Sequence, residues 1–139
     1  MNNLTSFTKS FRGDIVTPQD QDYTQAIARW ALNARREAKI VAFVKDAEDV
    51  ALAIKYAKDN NMPIAVRGGG HSPAGVSSCE GLVVDLSRHL NGVKIDSEKQ
   101  LAIVGGGALW ETVDKAAIKH SLATVGGTIN SVRLVPLTS

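Results

Sequence analysis

Cysteine is almost absent from this sequence of 139 residues, in which Cys79 is the single example. One thiol cannot form an intrachain disulfide, and a zinc cluster held by several thiolates is excluded as well. The sequence also lacks any run of about 18 apolar residues, so it predicts no membrane-spanning helix. The first ten residues are polar and lack the apolar centre of a secretory signal peptide. A soluble, cytoplasmic protein is therefore expected.

An excess of charge of one sign is also missing, since 16 Lys and Arg against 14 Asp and Glu give a formal net charge of +2. This balance does not predict a nucleic-acid partner. Basic residues do cluster locally, and we interpret the cluster as the solvated face of a helix. Its members are Arg29, Arg35, Arg36 and Lys39. The hydrophobic share of 44% and the charged share of 22% are typical of a globular domain.

Hydrophobic periodicity predicts both helices and strands along the chain. Helices are predicted over residues 20–36, 46–59 and 109–120, and strands over residues 39–44, 63–66, 82–86, 93–96, 100–104 and 122–125. The strand, helix and strand over residues 39–66 form a βαβ unit, whose two strands are expected to be parallel. The strands on either side of residues 97–99 are expected to form an antiparallel hairpin.

Two of the predicted helices carry more detailed signals. In the first, an apolar stripe at helical spacing is expected to face the core. It consists of Ala26, Ile27, Trp30 and Ala31. In the second, Asp46 is a good N-cap and Asp49 has the spacing of its capping-box partner. The residues of this helix expected to face inward are Val50, Ile54 and Ala57. Trp30 and Trp110 are both expected to pack helices.

The most informative local signal is a triple-glycine turn directly after the strand over residues 63–66. It reads Arg67-Gly68-Gly69-Gly70-His71-Ser72. Consecutive glycines permit positive φ and let a ligand approach the backbone, and their N–H groups can hold a phosphate. Arg67 adds positive charge, and His71 adds a nucleophilic nitrogen. The alternative is a glycine-rich loop with a chance histidine.

Three better-known motifs are excluded by the residues present. The dinucleotide fingerprint needs a third glycine where this sequence has Pro73. Neither the Gly-Lys-Ser/Thr of a P-loop nor the Gly-x-Ser-x-Gly of a hydrolase occurs. The three histidines lack the spacing of metal ligands, so no metal site is expected. His89 is interpreted as a surface or turn residue and His120 as the end of a helix.

Residues 63–72, together with Gly75 and residues 82–87, resemble the FAD-binding domain of the vanillyl-alcohol-oxidase/berberine-bridge-enzyme superfamily. The later landmarks follow in the same order: Gly105-Gly106-Gly107, Leu109-Trp110 and Val125-Gly126-Gly127-Thr128. The resemblance extends over about residues 11–130. It implies an α+β fold class of the PCMH type, with a small parallel βαβ subdomain followed by the start of a mainly antiparallel subdomain.

The resemblance also implies a cofactor, FAD, attached covalently through His71. The residues it assigns to FAD binding are Arg67, Gly68, Gly69, Gly70, His71, Ser72, Gly126, Gly127 and Thr128. The implied activity is oxidation of a small-molecule alcohol, sugar or amine by hydride transfer to the flavin, which oxygen reoxidises. The family's catalytic base and its substrate-binding domain have no counterpart in this sequence, so no catalytic residue is assigned.

Residues 131–139 depart from the family pattern, and the chain is interpreted as an N-terminal fragment. Four segments are expected: a lead over residues 1–15, a first FAD-binding subdomain over residues 16–91, the start of a second over residues 92–130, and a divergent tail. Two alternatives remain. One is a truncated, inactive family member, and the other is a nucleotide- or anion-binding module without a redox role.

Overall fold

Helices and strands alternate along the computed structural model, which describes residues 4–132. The helices are α1 (Leu4–Ser10), α2 (Tyr23–Ala26), α3 (Ala47–Asp59) and α4 (Trp110–Ile118). The strands are β1 (Asp14–Val16), β2 (Ile40–Phe43), β3 (Ile64–Arg67), β4 (Leu82–Asp85), β5 (Val93–Asp96) and β6 (Leu101–Val104). No helix within the described part of the chain has the length and apolar character needed to cross a membrane.

The larger sheet has four strands in the order β1-β2-β4-β3. β4 pairs in parallel with both β2 and β3, and β1 pairs antiparallel with β2. Every residue of β2 and β4 is buried, as expected for largely apolar strands that are covered on both faces. The strands predicted over residues 39–44, 63–66 and 82–86 are therefore confirmed.

Alternate residues of the central strands belong to two separate hydrophobic cores, one on each face of the sheet. One face packs against α1 and α3, and its buried residues are Phe7, Phe11, Ile40, Ala42, Val44, Ala53, Ala57, Leu82 and Val84. The other face packs against the segment around α2, and its buried residues are Val16, Ala26, Ile27, Ala38, Val41, Phe43, Ala65 and Val83. The sheet is thus a middle layer, and packing on both of its faces fixes the positions of its strand ends.

The predicted βαβ unit is present, but β4 lies between its two strands. β3 consequently forms an edge of the sheet, and its apolar residues are only partly buried. Ile64 is 40% exposed and Val66 is 49% exposed. Apolar composition indicates burial on both faces only when a strand also has neighbours on both sides, which β3 lacks.

The helix predicted over residues 20–36 was wrong. α2 contributes one turn, and a 3₁₀ turn follows at Leu32–Ala34. Between them the backbone N–H of Trp30 donates to the carbonyl of Gly70 at 3.2 Å instead of to the preceding helical turn. A tertiary hydrogen bond therefore ends the helix where local propensity favours its continuation.

Two elements near the N-terminus were not predicted. Residues 1–15 were expected to be a lead without predicted helices or strands, yet α1 and the start of β1 form there. The rings of Phe7 and Phe11 are buried 5.3 Å apart between their centroids, and Phe7 also stacks on Tyr56 of α3. Two aromatic residues four apart anchor this short helix. The four-segment division of the chain stays a prediction.

The antiparallel hairpin and the last helix are confirmed. β5 pairs with β6 from Val93 opposite Val104 to Asp96 opposite Leu101, and α4 packs against both strands. The strand predicted over residues 122–125 was wrong, because these residues pair with no neighbouring strand and Val125 is fully exposed. Most of the divergent tail, residues 133–139, lies outside the described residues.

The N-terminus of α3 is fixed by two aspartates. Asp46 caps the helix as predicted, with its carboxylate accepting from the N–H of Asp49 at 2.9 Å. The Asp49 carboxylate does not complete the predicted capping box. It is fully buried and accepts from the backbone N–H groups of Arg12, Gly13 and Lys45 at 2.9–3.0 Å. Of the residues of α3 expected to face inward, Ala57 is buried, but Ile54 is 45% exposed and that expectation was wrong. Ala53, which was not predicted, is fully buried.

Replacing the Asp49 carboxylate should destabilise the domain strongly. In Asp49→Asn, at least one of the three backbone N–H groups faces the NH₂ of the amide, which cannot accept a hydrogen bond. The free energy of unfolding should fall by about 3 kcal/mol. The free energy of unfolding, measured in urea at pH 7, checks this. Glu48→Gln, on the exposed neighbouring residue that pairs with Arg12, is the control and should leave the midpoint almost unchanged. Equal effects of the two substitutions would contradict the assignment.

Candidate functional site

The ends of two parallel strands meet at an ion pair. Arg67 is the last residue of β3 and Asp85 the last of β4, and the two are register partners. The Arg67 guanidinium donates to the Asp85 carboxylate at 3.0 Å and to the carbonyl of Ala26 at 2.8 Å. Asp85 is fully buried and also accepts from the N–H of Ser87 at 2.7 Å. The positive charge expected of Arg67 is therefore neutralised within the sheet edge.

The triple-glycine turn follows Arg67 and leads into a loop, and residues 68–79 together are called the glycine loop here. Gly70 has φ 67°, a left-handed conformation that glycine adopts without strain. A Cβ atom added to Gly70 would lie 2.8 Å from Cδ of Arg29 and 3.1 Å from Nε of Arg67. Gly70 is thus required both for its backbone angle and for the close approach of two arginine side chains.

Arg29 lies beneath this turn and is 8% exposed. Its guanidinium donates to the carbonyl of Ala28 at 2.8 Å and to that of Ser77 at 2.6 Å. Burial, together with the positive charge of Arg67, lowers the pKa of Arg29 to about 10. The guanidinium still carries its charge at neutral pH. The interpretation of Arg29 as part of a solvated helix face was wrong, whereas Arg35, Arg36 and Lys39 are exposed.

His71 follows the last glycine of the turn, and its ring stacks on Trp30. The two ring centroids are 4.9 Å apart and the planes differ by 11°. Trp30 is 70% exposed, so the expectation that it packs a helix was wrong. A large apolar ring on the surface of the domain, in contact with the candidate attachment residue, makes Trp30 part of this site.

Unpaired polar atoms concentrate in the same place. Within residues 4–132, five buried side-chain nitrogen or oxygen atoms have no hydrogen-bond partner. Four of them are Nε of Arg29, Nε of Arg67, Oγ of Ser77 and Oγ of Ser78. Buried polar groups are almost always paired in native proteins, so each such atom needs an explanation. Their clustering at the glycine loop indicates a polar ligand there.

The second set of predicted cofactor-binding residues has different contacts. Gly126 lies against the side chain of Trp110 on α4, where an added Cβ would be 2.4 Å from the indole ring. Gly127 is half-buried and Thr128 is exposed. Trp110 thus packs at the start of α4 as expected, and its Nε1 is the fifth unpaired atom. The first set, in contrast, contacts residues 26–30: Arg67 donates to the carbonyl of Ala26, and His71 stacks on Trp30.

The other histidines lie elsewhere. Nε2 of His89 is 2.7 Å from Oδ2 of Asp14, in a turn as expected. Burial alone would raise the pKa of Asp14, but hydrogen bonds from His89 and Arg88 outweigh it and lower the pKa. His120 is exposed just beyond α4. Among residues 4–132, no group of three or more His, Cys, Asp or Glu side chains could hold a metal ion.

Sequence reasoning missed four contributors to the site: Arg29, Trp30, Ser77 and Asp85. One of them carried a usable signal. Asp85 ends a strand of three apolar residues as Arg67 ends another, and the carboxyl ends of parallel strands meet at one edge of a sheet. Arg29 and Trp30 carried none, because the apolar spacing around them favoured a regular helix.

A glycine turn with unpaired donors at the carboxyl ends of parallel strands defines a domain that binds a phosphate-bearing cofactor. Comparison with protein-family models is more specific: residues 38–133 match the FAD binding domain family. The chain belongs to this family. Its relatives include FAD-linked oxidoreductases. The predicted resemblance and the α+β, PCMH-type fold class are confirmed.

Relatives and solved structures agree with this assignment. The chain is 36% identical over 127 residues to the FAD-linked oxidoreductase hasG of Aspergillus fumigatus, covering 90% of this chain and 27% of that protein. It is 34% identical over 119 residues to (R)-6-hydroxynicotine oxidase of Paenarthrobacter nicotinovorans, covering 85% and 26%. The chain therefore spans about a quarter of the length of these curated relatives.

The crystal structure of 6-hydroxy-D-nicotine oxidase from Arthrobacter nicotinovorans superposes with a TM-score of 0.85 at 33% identity, covering 88% of this chain and 27% of that one. A carbohydrate oxidase from Microdochium nivale superposes with a TM-score of 0.81 at 19% identity, covering 94% and 28%. At that identity the second likeness concerns the fold alone.

The residues at the glycine loop fit the diphosphate part of FAD. The loop offers backbone N–H groups and two unpaired serine hydroxyls, and the buried Arg29 beneath it has an unpaired Nε atom. Arginine N–H and hydroxyl groups are the donors that bind phosphate oxygens well. The donor set is thus that of an anion site.

Removing the acidic partner of Arg67 should destabilise the domain. Asp85→Asn leaves the buried charges of Arg29 and Arg67 without a neighbouring anion, which should cost about 3–5 kcal/mol of unfolding free energy. Chemical denaturation at pH 7 measures the loss. Lys55→Met, which breaks the exposed pair between Lys55 and Asp59, is the matched control and should have little effect. A loss at Asp85 no greater than at Lys55 would refute the role of this pair.

The stack of Trp30 on His71 has its own signature in solution. The ring current of the indole shields protons above its face, so the ring protons of His71 should resonate upfield of those of the exposed His120. Trp30→Ala should return the His71 signals to the position of an exposed histidine. A ¹H–¹³C spectrum of histidine-labelled protein measures this, with His71→Ala to assign the signals. His71 signals that do not move in Trp30→Ala would show that the rings are apart.

Proposed function

We propose that this chain is the part of a flavin-dependent oxidoreductase that binds the FAD diphosphate on the glycine loop and holds the flavin covalently through His71. The whole enzyme would oxidise a small-molecule alcohol, sugar or amine. The observation that carries the proposal is the cluster of unpaired buried donors at the glycine loop of a chain that belongs to the FAD binding domain family. The amine oxidised by the relative named 6-hydroxynicotine oxidase supports the substrate class.

The nine residues assigned by the family pattern contribute in different ways. Gly68, Gly69 and Gly70 would present backbone N–H groups of the turn to a diphosphate, and Ser72 would add a hydroxyl. Arg67 acts indirectly, because its ion pair with Asp85 holds the end of β3 next to the end of β4. Gly126, Gly127 and Thr128 would contact the cofactor from the segment beyond α4.

His71 has the position and chemistry required for covalent attachment. A neutral imidazole nitrogen is a competent nucleophile near neutral pH. The stack on Trp30 limits rotation of the imidazole and keeps one of its faces away from water. Attachment would form a bond between an imidazole nitrogen of His71 and the flavin 8α carbon, each of which would lose one hydrogen. Molecular oxygen would accept the two protons and two electrons so released and would become hydrogen peroxide.

FAD, when bound, supplies the redox chemistry by accepting a hydride from the substrate and passing the electrons to oxygen. The chain itself binds and orients the cofactor. Residues that orient the substrate and exclude water from it would come from the remaining three quarters of an enzyme as long as its relatives. We therefore expect the chain alone to bind FAD without efficient turnover.

Covalent attachment is tested by expressing the chain with FAD, precipitating it in acid and measuring flavin fluorescence in the washed pellet. The wild type should retain the fluorescence and His71→Ala should lose it. His120→Ala, at an exposed histidine, is the control and should retain it. Flavin released entirely by acid would show non-covalent binding. A folded chain that binds no flavin at all would support the alternatives of an inactive relative or of a module without a redox role.

A further inference from the structure

Two arginines lie side by side beneath the glycine loop, but only one has an acidic partner. Arg67 pairs with the fully buried carboxylate of Asp85 at 3.0 Å. Within the described residues, Arg29 makes no ion pair, and its two hydrogen bonds go to uncharged backbone carbonyls. Two cations and one anion leave a net charge of +1 at this place. That excess charge belongs to Arg29.

An unbalanced charge with 8% exposure is costly, because burial removes it from water without an anion in exchange. The lowered pKa of Arg29 reflects the same cost. Nε of Arg29 has no hydrogen-bond partner, and the Arg29 side chain packs directly against the glycine turn, with Cδ 2.8 Å from the position that a Cβ atom on Gly70 would occupy. The cation without an acidic partner therefore lies in contact with the glycine loop.

The geometry points to Arg29 as the residue that supplies the positive charge for binding a diphosphate on the glycine loop, with Arg67 confined to a structural ion pair. This inference rests on the proposed function, since the diphosphate is that of FAD. It reverses the roles that the sequence pattern assigns to the two arginines. Ser77, whose carbonyl accepts from Arg29 and whose Oγ is unpaired, is placed to add a hydroxyl donor.

A purely structural role for Arg29 makes a different prediction. In that case its hydrogen bonds to Ala28 and Ser77 would clamp the loop, and Lys and Gln replacements would both weaken every ligand alike. If its charge binds the diphosphate, the lysine variant keeps most of the affinity and only phosphate-bearing ligands are affected. The charge of the ligand therefore separates the two roles.

The experiment measures binding of ADP, adenosine and FAD to the full chain by titration calorimetry at two salt concentrations. Arg29→Gln should weaken ADP binding about 10- to 100-fold, the size expected for one partly desolvated charge. Adenosine binding should not change, and the salt dependence of ADP binding should decrease. Arg29→Lys should retain most of the ADP affinity. Arg35→Gln, the same substitution at an exposed arginine of the neighbouring segment, should behave as wild type.

Equal losses for ADP and adenosine, or equal losses in the Gln and Lys variants, would overturn the inference. Should Arg29→Gln fail to fold, the wild type provides a second readout. The ¹H–¹⁵N signal of the Arg29 Nε–H group should shift on addition of ADP and not of adenosine. FAD binding with an unmoved Arg29 signal would overturn this inference alone, whereas a folded chain that binds neither FAD nor ADP would overturn the proposed function with it.

Discussion

The parallel pairing of β3 with β4, which ends at the Arg67–Asp85 ion pair, is the interaction on which the candidate site depends. It fixes the point at which the chain leaves the sheet, so the three glycines begin at a defined position next to the end of β4. The same guanidinium reaches the carbonyl of Ala26, which ties the segment under the sheet to that point. Through this contact the two halves of the site, the glycine loop and residues 26–30, are held together.

The elements that the sequence predicted well are those in which local and tertiary preferences agree. β2 and the first three residues of β4 are apolar runs, each strand has two neighbours, and α3 begins at an aspartate cap. In the hairpin, β5 alternates apolar and polar residues before a polar turn, and β6 pairs with it. In such segments a pattern of residues corresponds to one structure, because nothing distant competes with it.

The errors over residues 20–36 share one cause, which is competition from distant groups. Residues 20–36 have the periodicity of a helix, but the carbonyl of Gly70 takes the N–H of Trp30 and the carbonyl of Ser77 takes the guanidinium of Arg29. A pattern of neighbouring residues cannot predict either of these hydrogen bonds, because both partners lie far away in the sequence. The glycine loop itself was found from the sequence because glycine clusters have few structural uses. The residues beneath it were missed because their roles arise from contacts about 40 positions away.

The exposed ring of Trp30 also makes the domain its own optical reporter. Trp110 is packed at the start of α4, so the two tryptophans of the chain differ sharply in their surroundings. Indole emission overlaps the absorption of an oxidised flavin, and Trp30 stands in contact with the histidine beside which a flavin would lie. A flavin bound beside His71 would therefore quench the ultraviolet fluorescence of the unlabelled chain, because it would cover or displace the ring of Trp30.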